Sequence, residues 1–279
     1  MHRKSMQYII TPPQHIDTRI TLPASKSVSN RALIVQALTK EGILPENLSD
    51  CDDTKVILQA FSQPSDVIDI KASGTAMRFL TAYLCLSQGE HIITGTERMK
   101  HRPIKILVDA LCYLGADIDY IGNEGYPPLR IRGRELEGGQ LVIPGNVSSQ
   151  YVSALLMIAP ILTKGLDLKL TGEIVSRPYI DLTLHIMHEF GVAAEWTNFD
   201  TISVKPQQYT RRTYTIENDW TAASYWYEIL ALQDDLDAEV VISGLKDGSR
   251  QGDAAVRYIF SLLGIKTNFA RKDAEGLTD

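Results

Sequence analysis

Two cations and a hydroxyl open the segment Leu22-Pro23-Ala24-Ser25-Lys26-Ser27-Val28-Ser29-Asn30-Arg31-Ala32-Leu33, and the chemistry they offer is the binding of an anion. Pro23 holds the residue before it in extended backbone. A helix is therefore predicted to begin just after it, capped by Ser25 or Ser27. Its apolar positions Val28, Ala32, Val35 and Leu38 fall on one stripe. Lys26 and Arg31 then stand at a helix end that already carries positive partial charge and unpaired N–H groups. A phosphate or carboxylate would offset that repulsion. Two solvated cations on a surface helix are the plainer alternative. Ser27 and Arg31, however, lie four residues apart, on one face and within reach of a common anion.

Other stretches repeat the theme. Gly74-Thr75-Ala76-Met77-Arg78 has the small-residue-then-arginine spacing of Ser27 to Arg31, and a glycine at a helix start lets a ligand touch backbone N–H groups. Arg98, Lys100, Arg102 and Lys105 crowd around Pro103, which suits the first position of a helix. A charge run is usually a solvated face, so only one or two of these four are expected to act specifically. Ser148-Ser149-Gln150 sets three polar groups before the apolar stretch from Tyr151 to Ala159, more than a cap requires. Ser176-Arg177-Pro178-Tyr179 repeats the Arg-Pro helix start, with Tyr179 either packing the helix end or touching ligand. His185 and His188 share a helix face, but no further His, Cys or acidic pair has the spacing of a three- or four-ligand site. No metal is expected. GxSxG, the P-loop and GxGxxG after a strand are all missing from the sequence, so no nucleotide or other cofactor is expected.

These groups need regular elements to carry them. Short strands are predicted at 8–10 and 18–22, and helices at 27–39 and 52–61. Asp50, Asp52 and Asp53 read as groups that suit a helix N-terminus, not as metal ligands. Small-residue loops feeding apolar helices recur at Gly74, Ser148 and Thr221, in steps of 74 and 73 residues. Helices ending in Leu-Gly or Phe-Gly before a strand recur at Gly115, Gly191 and Gly264, in steps of 76 and 73. Glycine takes positive φ past a helix end without strain. Two series in phase at about 75 residues predict a duplicated βαβαββ unit, too large for a solenoid repeat. The fold class is thus α/β (α+β), with units packed around a shared core. The stretch 270–279 is polar and has no core-building pattern, so the N-terminal strands and the unit at 257–269 read as pieces of a further domain.

Composition limits the alternatives. The 279 residues suffice for about two domains of ordinary size. An apolar fraction of 44% and a charged fraction of 22% belong to a globular chain. The net charge of −6 speaks against broad nucleic-acid binding. Cys51, Cys85 and Cys112 have no CxxC spacing and read as reduced thiols of a cytosolic protein. Residues 1–10 are too polar for a signal peptide, and the longest apolar run, 154–162, is broken by Pro160. No membrane partner is expected.

Taken in order, the 22–33 segment, Ser73-Gly74-Thr75-Ala76-Met77-Arg78, Arg98-Met99-Lys100-His101-Arg102-Pro103-Ile104, Ser148-Ser149-Gln150, Ser176-Arg177-Pro178-Tyr179-Ile180-Asp181 and Gln251-Gly252-Asp253 resemble the motifs of EPSP synthases (3-phosphoshikimate 1-carboxyvinyltransferases). The likeness runs through essentially the whole chain. UDP-N-acetylglucosamine enolpyruvyltransferases share the fold, but their lysine motif and loop cysteine have no counterpart here. A one-domain, non-catalytic sugar-phosphate-binding protein is the alternative outside enzymes.

The resemblance implies the enolpyruvyltransferase architecture of repeated βαβαββ units, with crossings between two domains near Leu22 and Gly244. Residues 21–243 are then expected to form one complete domain of three repeats. Residues 1–20 and 244–279 would be part of the other, whose remainder is expected in a segment after Asp279. It also implies transfer of the enolpyruvyl group of phosphoenolpyruvate to the 5-hydroxyl of shikimate 3-phosphate, in a cytoplasmic monomer of the shikimate pathway. Lys26, Ser27 and Arg31 would hold shikimate 3-phosphate, as would Ser148, Ser149, Gln150, Ser176 and Tyr179. Gly74 and Arg102 would hold phosphoenolpyruvate, with Lys26 and Gln150 reaching both substrates. Lys26 would be catalytic through its charge. The proton-transferring aspartate and a Lys-Glu pair would follow Asp279, so these residues alone are expected to bind shikimate 3-phosphate weakly and turn nothing over. Ala72 and Phe79 stand where the motif usually has Asn and Pro, beside the phosphoenolpyruvate site. The affinity for phosphoenolpyruvate and for the inhibitor glyphosate hangs on them.

Overall fold

The computed structural model describes residues 11, 13–63, 65–270, 272–273 and 276–277; the strand expected at 8–10 lies outside them. Strand β1 (Asp17–Thr21) leads through Pro23 into α1 (Lys26–Leu38), and α2 (Asp52–Ser62) follows. The next stretch holds β2 (Val67–Asp69), α3 (Gly74–Leu84), β3 (Glu90–Thr94), α4 (Lys105–Tyr113), β4 (Asp117–Tyr120) and β5 (Leu129–Arg132). The same sequence of elements then recurs as β6 (Gly139–Pro144), α5 (Ser149–Ile158), β7 (Leu166–Thr171), α6 (Arg177–Glu189), β8 (Ala194–Asn198) and β9 (Thr201–Val204). Past these come α7 (Trp220–Leu232), β10 (Glu239–Ser243), a 3₁₀ turn at Gly252–Ala255, α8 (Val256–Ser261), and the short strands β11 (Lys272–Asp273) and β12 (Gly276–Leu277).

Connectivity makes the internal duplication explicit. The first sheet has order β2-β3-β5-β4 and the second β6-β7-β9-β8, each with one parallel pair followed by two antiparallel ones. Both are βαβαββ units. Strand β7 alternates buried Leu166, Leu168 and Leu170 with exposed Asp167, Lys169 and Thr171, so one sheet face meets helices and the other water. Gly115, Gly191 and Gly264 close their helices at φ of +105°, +82° and +89°, which the sequence period anticipates. Helices α1, α3 and α5 form the middle of the larger core: Ala32, Leu33, Val35, Phe79, Leu80, Leu155 and Leu156 are fully buried there.

The third repeat differs from expectation. Around α1 and α2, the described residues pair only through the isolated bridges Ala24↔Asn218 and Glu46↔Thr215, and no third four-stranded sheet forms. The third copy of the loop-then-helix signal, at Asp219-Trp220-Thr221, opens α7, and α7 faces a different core. Leu22, Trp220, Ala223, Tyr227, Ala254 and Val256 make this second cluster, whereas the first runs from Ala24 to Ile216. Within the expected unit of 21–243, α7 packs in the second cluster. Strand β10 pairs in parallel with β1, not with the two larger sheets. The physical reason is local. Segment 217–219 pairs back onto 23–25, Asp219 caps α7 through Thr221 N, and the bulky Trp220 indole is then buried on the far side of the crossing.

Candidate functional site

Arg31, in the second turn of α1, is 2% exposed. Its Nε donates to Thr183 Oγ1 at 2.7 Å, Nη2 to Ser153 Oγ at 3.0 Å and Nη1 to the Ser27 carbonyl at 2.9 Å. The guanidinium also lies 5.5 Å from the Phe79 ring centre and 5.8 Å from that of Tyr179. All three acceptors are neutral. Burial lowers the Arg31 pKa to about 10, so the group is still charged at neutral pH but uncompensated. Arg31 thus draws together α1, α5 and α6, and the Phe79 ring brings in α3.

A second set of contacts crosses the helix starts. Lys26 Nζ lies 3.3 Å from Asp53 Oδ2, and the Ser73 hydroxyl donates to the other oxygen of Asp53. Ser73 caps α3 by accepting from Ala76 N at 3.0 Å. At Gly74 an added Cβ would come within 2.5 Å of Arg102 Nη1 and 3.0 Å of Arg78 Nη1, so two guanidinium groups lie directly against this glycine. Arg78 Nη1 donates to Gln150 Oε1 at 2.6 Å, and Gln150 Nε2 donates to Thr75 Oγ1 at 3.1 Å. The starts of α1, α2, α3 and α5 are thereby joined in one continuous polar chain. Of the four cations around Pro103, Lys100 pairs with Glu97 and Lys105 with Glu124; of the other two, Arg98 and Arg102, it is Arg102 that lies against the glycine. Pro103 itself falls two residues ahead of α4 instead of opening it.

The remaining expected residues stand at the starts of α1, α5 and α6. Ser148 caps α5, with Gln150 N at 3.4 Å; Ser149 on the same helix start and Ser27 on that of α1 are both half-buried. Ser25, not Ser27, precedes α1, and its side chain makes no cap bond. Ser176 precedes α6 in the left-handed region at φ 55°, with its hydroxyl also uncommitted to a cap. Strain of this sort in a non-glycine residue is held in place only by its surroundings. Tyr179 sits among charges: burial raises its pKa, Asp253 and Asp219 add to the rise, and Arg31 and Lys26 oppose it. Of the ten expected residues, Arg31 stands in the second turn of α1, and the other nine lie in the first turn of a helix or just ahead of one.

Cavity shape adds a distinction. The larger groove, about 490 Å³, runs between Asp52, Asp53, Lys55 and Gln59 on α2 and Ile70–Ser73 on the loop before α3, and holds none of the ten. Gly74, Arg78 and Arg102 line a recess of only about 10 Å³. Asp53, the partner of Lys26, and Ser73 line the groove beside this recess. Sequence reasoning took Asp53 for a helix-start charge and missed it as the partner of Lys26. Ser153 and Thr183, the acceptors for Arg31, stand mid-helix in apolar stretches with no local signal.

The 10–63 and 58–276 stretches match the family EPSP synthase (3-phosphoshikimate 1-carboxyvinyltransferase). The chain belongs to the EPSP synthase family. A 3-phosphoshikimate 1-carboxyvinyltransferase of Bacteroides fragilis is 57% identical over 264 residues, covering 95% of this chain and 64% of the relative. One from Histophilus somni is 39% identical over 291 residues, covering 93% and 66%. This member of the EPSP synthase family thus spans a little under two thirds of these relatives' lengths. An EPSP synthase structure from Acinetobacter baumannii superposes with a TM-score of 0.75 at 22% identity, over 89% of this chain and 61% of that one, and shares its fold.

Proposed function

We propose that this chain binds shikimate 3-phosphate and phosphoenolpyruvate for enolpyruvyl transfer to the 5-hydroxyl of the former. The observation that carries this reading is the polar chain from Lys26 through Asp53, Ser73 and Gly74 to Arg102, Arg78 and Gln150, with Arg31 beneath it. Two phosphates and two carboxylates have to enter one site, and only converging cations and helix starts can hold them together. Lys26, Ser27 and Arg31 take shikimate 3-phosphate, with Ser148, Ser149, Gln150, Ser176 and Tyr179 around its ring and phosphate. Gly74 and Arg102 take phosphoenolpyruvate, the glycine by letting the ligand reach α3's free N–H groups. Lys26 carries the catalytic charge. Addition of the 5-hydroxyl oxygen to the enol carbon, with the hydroxyl proton lost and a proton gained at the methylene carbon, makes a tetrahedral intermediate; breaking its C–O bond to phosphate, with a proton leaving the new methyl group, re-forms the double bond. A preset field of cations stabilises the departing phosphate.

Domain division follows the two cores, with the crossings at 22–24 and 216–220 in place of the expected Gly244. The reading is of a monomer in the cytoplasm, and Cys51, Cys85 and Cys112 are all free thiols. Among the described residues no helix is long and apolar enough to cross a membrane.

Isothermal titration of the 279-residue chain with shikimate 3-phosphate tests the reading. Saturable binding that Lys26→Ala weakens supports it. No binding of shikimate 3-phosphate, or a preference for UDP-N-acetylglucosamine, overturns it.

A further inference from the structure

We propose that Glu217 is a positioning residue that ties the loop 246–251 to the start of α1, and so sets where Lys26 and Ser27 stand relative to the Gln251-Gly252-Asp253 turn. Glu217 is 8% exposed and lies where the chain crosses between the two cores. Its Oε1 accepts from Trp220 Nε1 and from Lys246 N, both at 2.9 Å. Its Oε2 accepts from Ser249 Oγ at 2.7 Å and Gln251 Nε2 at 3.0 Å. Among the described residues it has no cationic partner. Four donors and no acceptor surround the head group, and only an ionised carboxylate is acceptor-only on both atoms. Burying that charge is costly unless every lone-pair direction is used.

The main chain of the same residue points the other way. The Glu217 carbonyl accepts from Ser25 N at 2.9 Å, and two residues on, Asp219 N donates to the Pro23 carbonyl at 2.9 Å. Segment 217–219 is thus the strip against which the residues before Lys26 are laid. On its side-chain side, Gln251 also donates to the Asn218 carbonyl at 2.8 Å and accepts from Trp220 N at 3.3 Å. Gly252 then abuts the start of α6, where an added Cβ would stand 2.8 Å from Pro178 Cβ, next to Ser176 and Tyr179. One carboxylate therefore links the crossing strip to the turn that reaches α6.

The ligand part of this inference rests on the shikimate 3-phosphate reading above; the coupling part does not. The test compares wild-type chain with Glu217→Gln, which keeps the shape but turns an amide N–H₂ toward donors. Amide hydrogen exchange and titration with shikimate 3-phosphate are read together. Exchange is expected to rise at least tenfold at Lys246 and Gln251 and also at Ser25, with the shikimate 3-phosphate Kd up at least tenfold. Should Glu217→Gln fail to fold, Ser249→Ala, which removes one donor, is expected to raise exchange at Ser25 by a smaller factor. A rise confined to 246–251 and Trp220, with Ser25 unchanged, overturns the proposal. If wild-type chain binds no shikimate 3-phosphate, the functional reading falls, while exchange at Ser25 still decides the role of Glu217.

Discussion

Arg31 donates from Nε to Thr183 Oγ1 at 2.7 Å, so a fully desolvated charge rests on a hydroxyl instead of a carboxylate. Removing it leaves no orphan. Ser153 Oγ and Thr183 Oγ1 are already 2.8 Å apart, and Thr183 can donate to the Tyr179 carbonyl at 2.8 Å. Arg31→Met is therefore expected to leave stability unchanged or to raise it by about 1 kcal/mol, as happens when buried charge is replaced by apolar volume. Shikimate 3-phosphate affinity is expected to fall at least a hundredfold, or about 2.7 kcal/mol. Thermal melts and calorimetric titration of one preparation check both halves.

Lys26 gives the opposite contrast. Its pair with Asp53 is half-exposed, and such pairs contribute about 0–1 kcal/mol. Lys26→Ala is expected to shift the melting temperature little while weakening anion binding more than tenfold. The salt dependence of the remaining affinity should also flatten, since one phosphate contact is lost. Titrations at two ionic strengths read this directly.

Gly74→Ala pushes a methyl into the Arg102 guanidinium, the free end of a flexible side chain, so the fold yields without strain. The expected result is normal stability with phosphoenolpyruvate affinity reduced about tenfold, or about 1.4 kcal/mol. Shikimate 3-phosphate binding should change far less. Equal losses for both ligands would count against separate subsites.

His185 supplies a pH signature. Burial holds its pKa below the ordinary 6.5, Arg250, His188 and Lys246 push it the same way, and Glu189 opposes them. The unfolded chain therefore binds the extra proton first. Stability from the neutral ring is complete above pH 6.5 and is lost as pH falls through the folded value. Melting curves should show wild type losing ground to His185→Gln between about pH 7 and 5.

Much of this was legible in the residues. The Leu-Gly and Phe-Gly stops reveal the βαβαββ period because positive φ after a helix demands glycine, a local requirement that leaves a local mark. Lys26, Ser27 and Gln150 were legible for the same reason, as polar groups at helix starts. Arg31 was legible as a cation, but its burial was not, because Ser153 and Thr183 lie 122 and 152 residues away. Asp53 carried the plain look of a dipole-matching group. The crossing near Gly244 was expected from the resemblance alone; Gly244 is a turn at φ +85° bonded to Asn218, and the two apolar clusters divide at 216–220, a long-range arrangement with no local mark. Glu217 left no trace at all: three of its four side-chain partners stand 29 to 34 residues downstream.

The clustered helix starts and the uncompensated guanidinium have one consequence for the protein at rest. Like charges and aligned dipoles are held there against their own repulsion, so any dianion that settles among them relieves the folded form and not the unfolded one. Mass action turns this into a supply gauge: at a hundred times its dissociation constant such an ion adds about 2.7 kcal/mol.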